Sequence, residues 1–292
     1  MRMPTVIDAE VHVLPPDWCV SGYEPPATET VLRNKIYEHP ERERALAGAH
    51  EDGLLAEMTA ARVDGALLIG LPWRDPSRNR ANNAYVARLC RRYPDRFLGL
   101  GLTSSPASAD VVDEVRSIDE EYGLRGVKVI PSWQEYQLDD AGFEPALTEM
   151  EKRGLILFPH VDHLYLPDEG FDAPHRLLTV AARHPALKII APHLGGLLCL
   201  YAHHAPVAAL ISNMLFVASV PLTLPMVRYA LDAVGASRVA FGTDFPFNPS
   251  HDQRAVRAGV EALGLSEHDR QTVMGRAIRD FLNWPGDGPA GS

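Results

Sequence analysis

Short apolar runs alternate with longer helix-patterned stretches along the whole chain, and this alternation limits the possible folds more than any other feature. The runs occupy 5–13, 65–72, 97–103, 126–131, 155–161, 188–193, 214–220 and 239–242. Short runs dominated by Val, Ile and Leu are the pattern of strands buried on both faces, and a helix after each is what carries the chain back to begin a parallel neighbour. Helix-patterned stretches occupy 54–62, 81–93, 109–122, 143–153, 174–184, 225–234 and 254–263. A last one, 266–282, opens with Ser266 and carries Glu267 and Asp269 in its first turn, where a side-chain cap and negative charge both favour a helix start. Eight such units predict an α/β fold, a single (β/α)8 barrel of the TIM type over 1–284, with a loose tail at 285–292. A doubly wound open sheet is the competing arrangement, but eight units fill the chain with nothing left over.

One segment breaks the rhythm. Residues 14–53 follow the first strand and are rich in Pro and charge. So long a connection without structure is unusual in a compact domain, so part of it, around 41–49, is expected to be helical. Connections after barrel strands lie over the active-site face, which makes this insertion a lid or substrate wall. A surface excursion or a subunit contact is the plainer alternative.

Charge and cysteine usage remove several function classes. Lys and Arg total 28 against 38 Asp and Glu, and the resulting net charge of −10 repels a polyanion, so no nucleic-acid partner is expected. No long uncharged apolar run occurs, and the first strand already carries Asp8, Glu10 and His12, so neither a membrane span nor a secretory leader is expected. Cys19, Cys90 and Cys199 are far apart and show no C-x-x-C spacing, which suits packing residues in a reduced, cytoplasmic protein.

Catalytic groups of a TIM barrel stand at the C-terminal ends of its strands. Here those ends read Glu10-Val11-His12, Phe158-Pro159-His160, Ala191-Pro192-His193 and Gly242-Thr243-Asp244. Strand alternation puts residues two apart on one face, roughly 7 Å from each other, so Glu10 and His12 can both look into the barrel mouth. One divalent ion bridging them with His160 and Asp244 would have mixed nitrogen and oxygen ligands, which suits zinc first and manganese second, with a position open for water or substrate. Trp73, Arg74 and Trp133 follow strands two and four and offer a flat apolar wall and a guanidinium for an aromatic carboxylate, or simply loop packing. His175, His184, His203, His204 and His268 read as surface or capping residues, with His203 and His204 in a helix after strand six.

The stretches Ile7-Asp8-Ala9-Glu10-Val11-His12, Tyr93-Pro94-Asp95-Arg96-Phe97, Gly126-Val127-Lys128-Val129, Ala191-Pro192-His193-Leu194-Gly195-Gly196 and Phe241-Gly242-Thr243-Asp244-Phe245-Pro246 span nearly the whole chain. Together they make it resemble the amidohydrolase superfamily, in the group that includes aminocarboxymuconate semialdehyde decarboxylase and the resorcylate and dihydroxybenzoate decarboxylases. The resemblance implies that Glu10, His12, His160 and Asp244 ligate one metal ion and that Asp244 also moves protons. It places His193 beside the metal, as a weak ligand or as the group that polarises the substrate. Glu10-x-His12 in place of the more widespread His-x-His looks like the decarboxylase branch. His160-Val161-Asp162-His163 departs from the usual His-x-Gly, so Asp162 or His163 either orients His160 or faces the loop. Lys128 is open to a structural role, a substrate-anion role or, as in binuclear relatives, carboxylation to bridge two metals. Relatives in this group are often dimers, which implies a homodimer.

The reaction expected is non-oxidative decarboxylation of a small aromatic or unsaturated carboxylate. An anionic Glu10 makes the ion a poorer Lewis acid for generating hydroxide, while a less electrophilic ion still anchors substrate oxygens. Metal-water hydrolysis of a lactone, ester or amide is the main alternative, with Asp244 as base and His193 polarising the carbonyl. Metal-assisted cyclisation or hydration uses the same groups. A non-catalytic binding barrel is the remaining possibility.

Overall fold

The structure of the protein, a computed structural model, describes residues 5–106, 110–161, 170–219, 224–247 and 252–284. All eight apolar runs become strands: β1 (Ile7–His12), β2 (Gly65–Ile69), β3 (Phe97–Gly99 continued by Gly101–Leu102), β4 (Gly126–Val129), β5 (Ile156–Pro159), β6 (Lys188–Ala191), β7 (Met214–Ala218) and β8 (Val239–Phe241). Each pairs in parallel with the next in chain order. The two parts of β3 act as one strand, because the Leu100 N–H donates to the Leu68 carbonyl on one side and the Gly99 carbonyl accepts from the Arg125 N–H on the other. Beyond β8, Val11 bridges Phe245 in parallel and the His12 N–H donates to the Phe245 carbonyl at 2.7 Å, which brings the last unit back to the first. A doubly wound sheet reverses its strand order at a switch point, and this order never reverses. The fold is the α/β barrel of the TIM type.

The barrel interior is filled from below by Ile7, Ala9, Leu67, Ile69, Leu98, Leu100, Ile156, Phe158, Ile190, Leu215, Val217 and Ala240. Ile278, Leu282 and Trp284 of the C-terminal helical segment close its floor. That segment runs as Glu267–Gln271, a π-turn Thr272–Arg276 and Ala277–Leu282. Its Ser266 cap accepts from the Asp269 N–H, as expected from the sequence. Gly275 in the π-turn lies so close to the chain before β1 that a Cβ there would stand 2.4 Å from the Thr5 carbonyl oxygen.

Two features of this frame position the site. The first is an irregularity in β1, where three steps from Asp8 to Val11 oppose two steps on β2. The extra residue resets the alternation. Ile7 and Ala9 therefore face the interior low in the barrel, Glu10 and His12 face it at the mouth, and Asp8 turns away toward the β8 side. There the Asp8 carboxyl accepts from the Glu10 and Thr243 N–H groups, the Thr243 hydroxyl and the Gln253 amide. Burial raises its pKa to about 7, against the pull of those hydrogen bonds. Asp8→Ala would leave all these donors without their acceptor in a buried place, and chemical denaturation is expected to show a loss of about 3 kcal/mol. A loss under about 1 kcal/mol would mean that Asp8 does not brace the two strands.

The second feature is the insertion. Short helical pieces form at Pro16–Trp18, Thr30–Leu32, Arg33–Tyr37 and Pro40–Leu46, the last where the sequence pattern places one. The next helix starts at Glu51, earlier than its apolar pattern indicates, so the insertion ends before that point. Leu14, Trp18, Leu32, Ile36, Tyr37 and Leu46 form a cluster of their own against Leu71, Trp73 and Leu102, at and just beyond the C-terminal ends of β2 and β3.

His175, His203, His204 and His268 are exposed. His203 and His204 precede the helix Ala205–Leu210 rather than lying in it, and His204 is its N-cap residue. His184 corrects the surface reading. It is the C-cap residue of Pro174–Arg183 and is buried between Glu144, 2.9 Å from Nε2, and Glu151, 3.3 Å from Nδ1. Asp162, His163 and the tail 285–292 lie outside the described residues.

Candidate metal and catalytic site

Glu10, His12 and Asp244 converge at the barrel mouth, where one ligand atom from each lies within 4.8 Å of the others. Gly-Thr-Asp after β8 is built for this approach. A Cβ on Gly242 would stand 2.2 Å from Val217 and 3.6 Å from Glu10, so only glycine lets the chain pass, and Thr243 holds Asp8. Asp244 then takes a left-handed backbone with φ of 57°, and His193 does the same at 53°. Non-glycine residues in that region carry strain that the surroundings must hold, a feature concentrated at functional sites.

The hydrogen bonds define which atoms are available. His12 Nδ1 lies 2.9 Å from the Gly70 carbonyl, which accepts only, so the proton of the neutral ring sits on Nδ1. The Nε2 lone pair is left aimed at Asp244 Oδ1, 3.2 Å away. A lone pair and a carboxylate oxygen at that separation repel unless a cation, either a proton or a metal ion, is shared between them. Two carboxylates and an imidazole on one spot are also the donor types a first-row divalent ion takes. The residues present thus fit a metal ion.

Glu10 is fully buried and engaged on both oxygens. Oε1 lies 3.4 Å from Lys128 Nζ, and Oε2 accepts from the Ser219 hydroxyl. The Lys128 ammonium, itself fully buried, also stands 4.3 Å from the centre of the Phe158 ring. For Asp244, burial pushes the pKa up, but a positive charge shared with His12 and the Lys128 ammonium pull it down and win. His193 at the end of β6 is buried, and that burial outweighs the pull of Glu10 and Asp244, lowering its pKa so that the ring is neutral at pH 7.

His160 stands one ring away from this trio. Its imidazole packs edge-on against that of His193, with centres 5.0 Å apart, and it is not among the atoms that share the 4.8 Å cluster. Trp73 is fully buried, packed edge-on against Trp18 at 5.0 Å and tilted against Tyr37 at 6.1 Å. Arg74 pairs with Glu135 at the surface, so the guanidinium already holds a carboxylate. Trp133 is half-buried beside the insertion cluster. Phe247 sets its ring against His12, centres 5.1 Å apart. Sequence patterning did not single out Asp8, Ser219 or Phe247. Asp8 carried a signal, an acid inside an otherwise apolar strand, whereas Ser219 carried none.

The family model for the amidohydrolases matches residues 7–284. The chain is 24% identical over 234 residues to 2-amino-3-carboxymuconate-6-semialdehyde decarboxylase of Dictyostelium discoideum, which covers 68% of this chain and 65% of that one. It is 28% identical over 181 residues to 6-methylsalicylic acid decarboxylase of Penicillium expansum, covering 49% and 55%. The chain thus spans less than two-thirds of the length of these curated relatives. Its fold is that of 5-carboxyvanillate decarboxylase from Sphingomonas paucimobilis, with a TM-score of 0.77 at 20% identity over 96% of this chain and 99% of that one. It is also that of a dihydroxybenzoic acid decarboxylase from Polaromonas, solved with bound manganese and 2-nitroresorcinol, with a TM-score of 0.74 at 16% identity over 98% of each chain. Strand order, the polar strand ends and a family match over almost the full length agree: the chain belongs to the amidohydrolase family.

Proposed function

We propose that this protein is a metal-dependent carboxy-lyase that removes carbon dioxide from a small aromatic or unsaturated carboxylate. The observation that carries the proposal is the His12 Nε2 lone pair set 3.2 Å from Asp244 beside the buried carboxylate of Glu10. Glu10, His12 and Asp244 would hold one divalent ion, with His160 joining from β5. When bound, such an ion anchors substrate oxygens and withdraws charge from the bond to be broken. Two carboxylates in the donor set are harder ligands than imidazole and move the preference from zinc toward manganese.

Asp244 carries the proton traffic. Its lowered pKa leaves it ionised in the free site, so it takes a proton from a substrate hydroxyl or from water and delivers it to the carbon that bears the carboxylate. As the new C–H bond forms, the bond to the carboxylate breaks, its electron pair returns to the ring or alkene, and carbon dioxide leaves. His193, neutral and 5.0 Å ring to ring from His160, accepts a hydrogen bond from a substrate hydroxyl. Phe247 offers an aromatic edge to a planar substrate, and Trp133 with the insertion after β1 forms a wall. Lys128, bound to Glu10, serves as its counter-charge.

Both curated relatives are named as decarboxylases of aromatic or unsaturated carboxylates, which supports this chemistry over hydrolysis. Hydrolysis is the second reading, because an ionised Asp244 equally suits a base that takes a proton from water. Purified protein loaded with manganese or zinc is expected to release carbon dioxide from at least one hydroxybenzoate. Chelation should lower that rate by at least roughly 100-fold. Cleavage of a lactone or amide panel with no carbon dioxide released from any carboxylate would replace this reading with the hydrolytic one. Metal content well below one equivalent, with no activity after metal is added, would favour a non-catalytic barrel. The free cysteines suit the reducing cytoplasm, among the described residues no helix is long and apolar enough to cross a membrane, and light scattering tests a homodimer.

A further inference from the structure

The Ser219 hydroxyl, just past β7 and buried, sits between Glu10 and His193. It donates its one proton to Glu10 Oε2. Its oxygen then has only lone pairs to offer, and two nitrogens of His193 stand within reach: the backbone N at 3.3 Å and ring Nδ1 at 3.2 Å. A hydroxyl has one donor and two acceptor positions, so this arrangement uses all three. A ring nitrogen facing an oxygen whose proton is already committed must itself carry the hydrogen.

We propose that Ser219 is the positioning residue for His193, holding the ring in the Nδ1–H form so that Nε2 is its accepting atom, and relaying the orientation of Glu10 to the imidazole. The acceptor also satisfies the N–H of a residue in left-handed backbone, with φ of 53°, so the same contact holds both the peptide and the ring. Glu10 thereby acts on three partners: Lys128 through Oε1, Ser219 through Oε2 and, in the proposed function, the metal ion. The kinetic consequence rests on the use of His193 in that proposed function; the assignment of the ring proton rests on geometry alone.

The test uses Ser219→Ala and Ser219→Thr in the zinc-loaded protein, where zinc keeps the spectra diamagnetic. Histidine ring nitrogens are read by long-range proton–nitrogen correlation after isotope labelling, with His193 assigned by its loss in His193→Asn. The parent and the Thr variant are expected to show His193 protonated at Nδ1, and the Ala variant a mixture of both ring forms. With a turned-over carboxylate, the Ala variant is expected to lose about tenfold or more in kcat with KM within about twofold, because the ring is misoriented rather than the substrate lost. Thermal melts confirm that each variant is folded. A parent spectrum with the proton on Nε2, an Ala variant that keeps the parent ring form, or a changed ring form with unchanged kcat would each overturn the proposal. If no carboxylate is turned over, the proposed function fails, while the spectra still decide the ring form.

Discussion

Asp244→Asn abolishes turnover, with kcat down by at least roughly 1,000-fold, while the melting temperature of the metal-free protein moves little. The amide is nearly the same size as the carboxyl and Asn tolerates left-handed backbone, so the 57° φ at this position is kept. The amide cannot take up and release a proton, and it presents a neutral oxygen where the His12 Nε2 lone pair, 3.2 Å away, faced an anion. Both the acid–base step and metal retention suffer, and metal content measured alongside kcat separates the two. Turnover within about tenfold of the parent in a metal-replete variant would remove Asp244 from the proton path.

Glu10→Leu is expected to have the second largest effect, and here the change lies in stability as well as activity. Lys128 is fully buried, its ammonium lies 3.4 Å from Glu10, and removal of the carboxylate strands a cation where water cannot reach it. Breaking one side of a buried pair costs about 3–5 kcal/mol, far more than replacing both sides by apolar groups of similar volume. The double variant Glu10→Leu with Lys128→Met should therefore unfold at nearly the parent denaturant concentration, yet bind no metal and turn over no substrate. Measuring unfolding without metal keeps the ion's own stabilisation out of the comparison. A single variant that loses less than about 1 kcal/mol would mean that the pair is not ionised in the folded protein.

Much of this site was legible before any coordinates, for a local reason. Strand alternation and the rule that barrel chemistry gathers at C-terminal strand ends are properties of short segments, so Glu10, His12, His193 and Asp244 could be read from their own neighbourhoods. Asp8 could not. Simple alternation puts it on the same face as Glu10 and His12, and only the irregular step in β1 turns it toward Thr243 and Gln253. Nothing in the residues around Arg74 announces its partner Glu135, 61 positions on. The edge-on contact between the His160 and His193 rings joins the ends of β5 and β6, and no local pattern announces it.

The amino-acid order alone determined eight parallel strands, the helices between them, and which strand ends carry carboxyl and imidazole groups, since each depends on periodicity and caps within about ten to twenty residues. Tertiary structure alone decided which of those groups meet. Ser219 and Glu10 are 209 positions apart and Thr243 and Asp8 are 235 apart, and such pairs are set by strand register and by a single extra residue in β1, which no local pattern encodes.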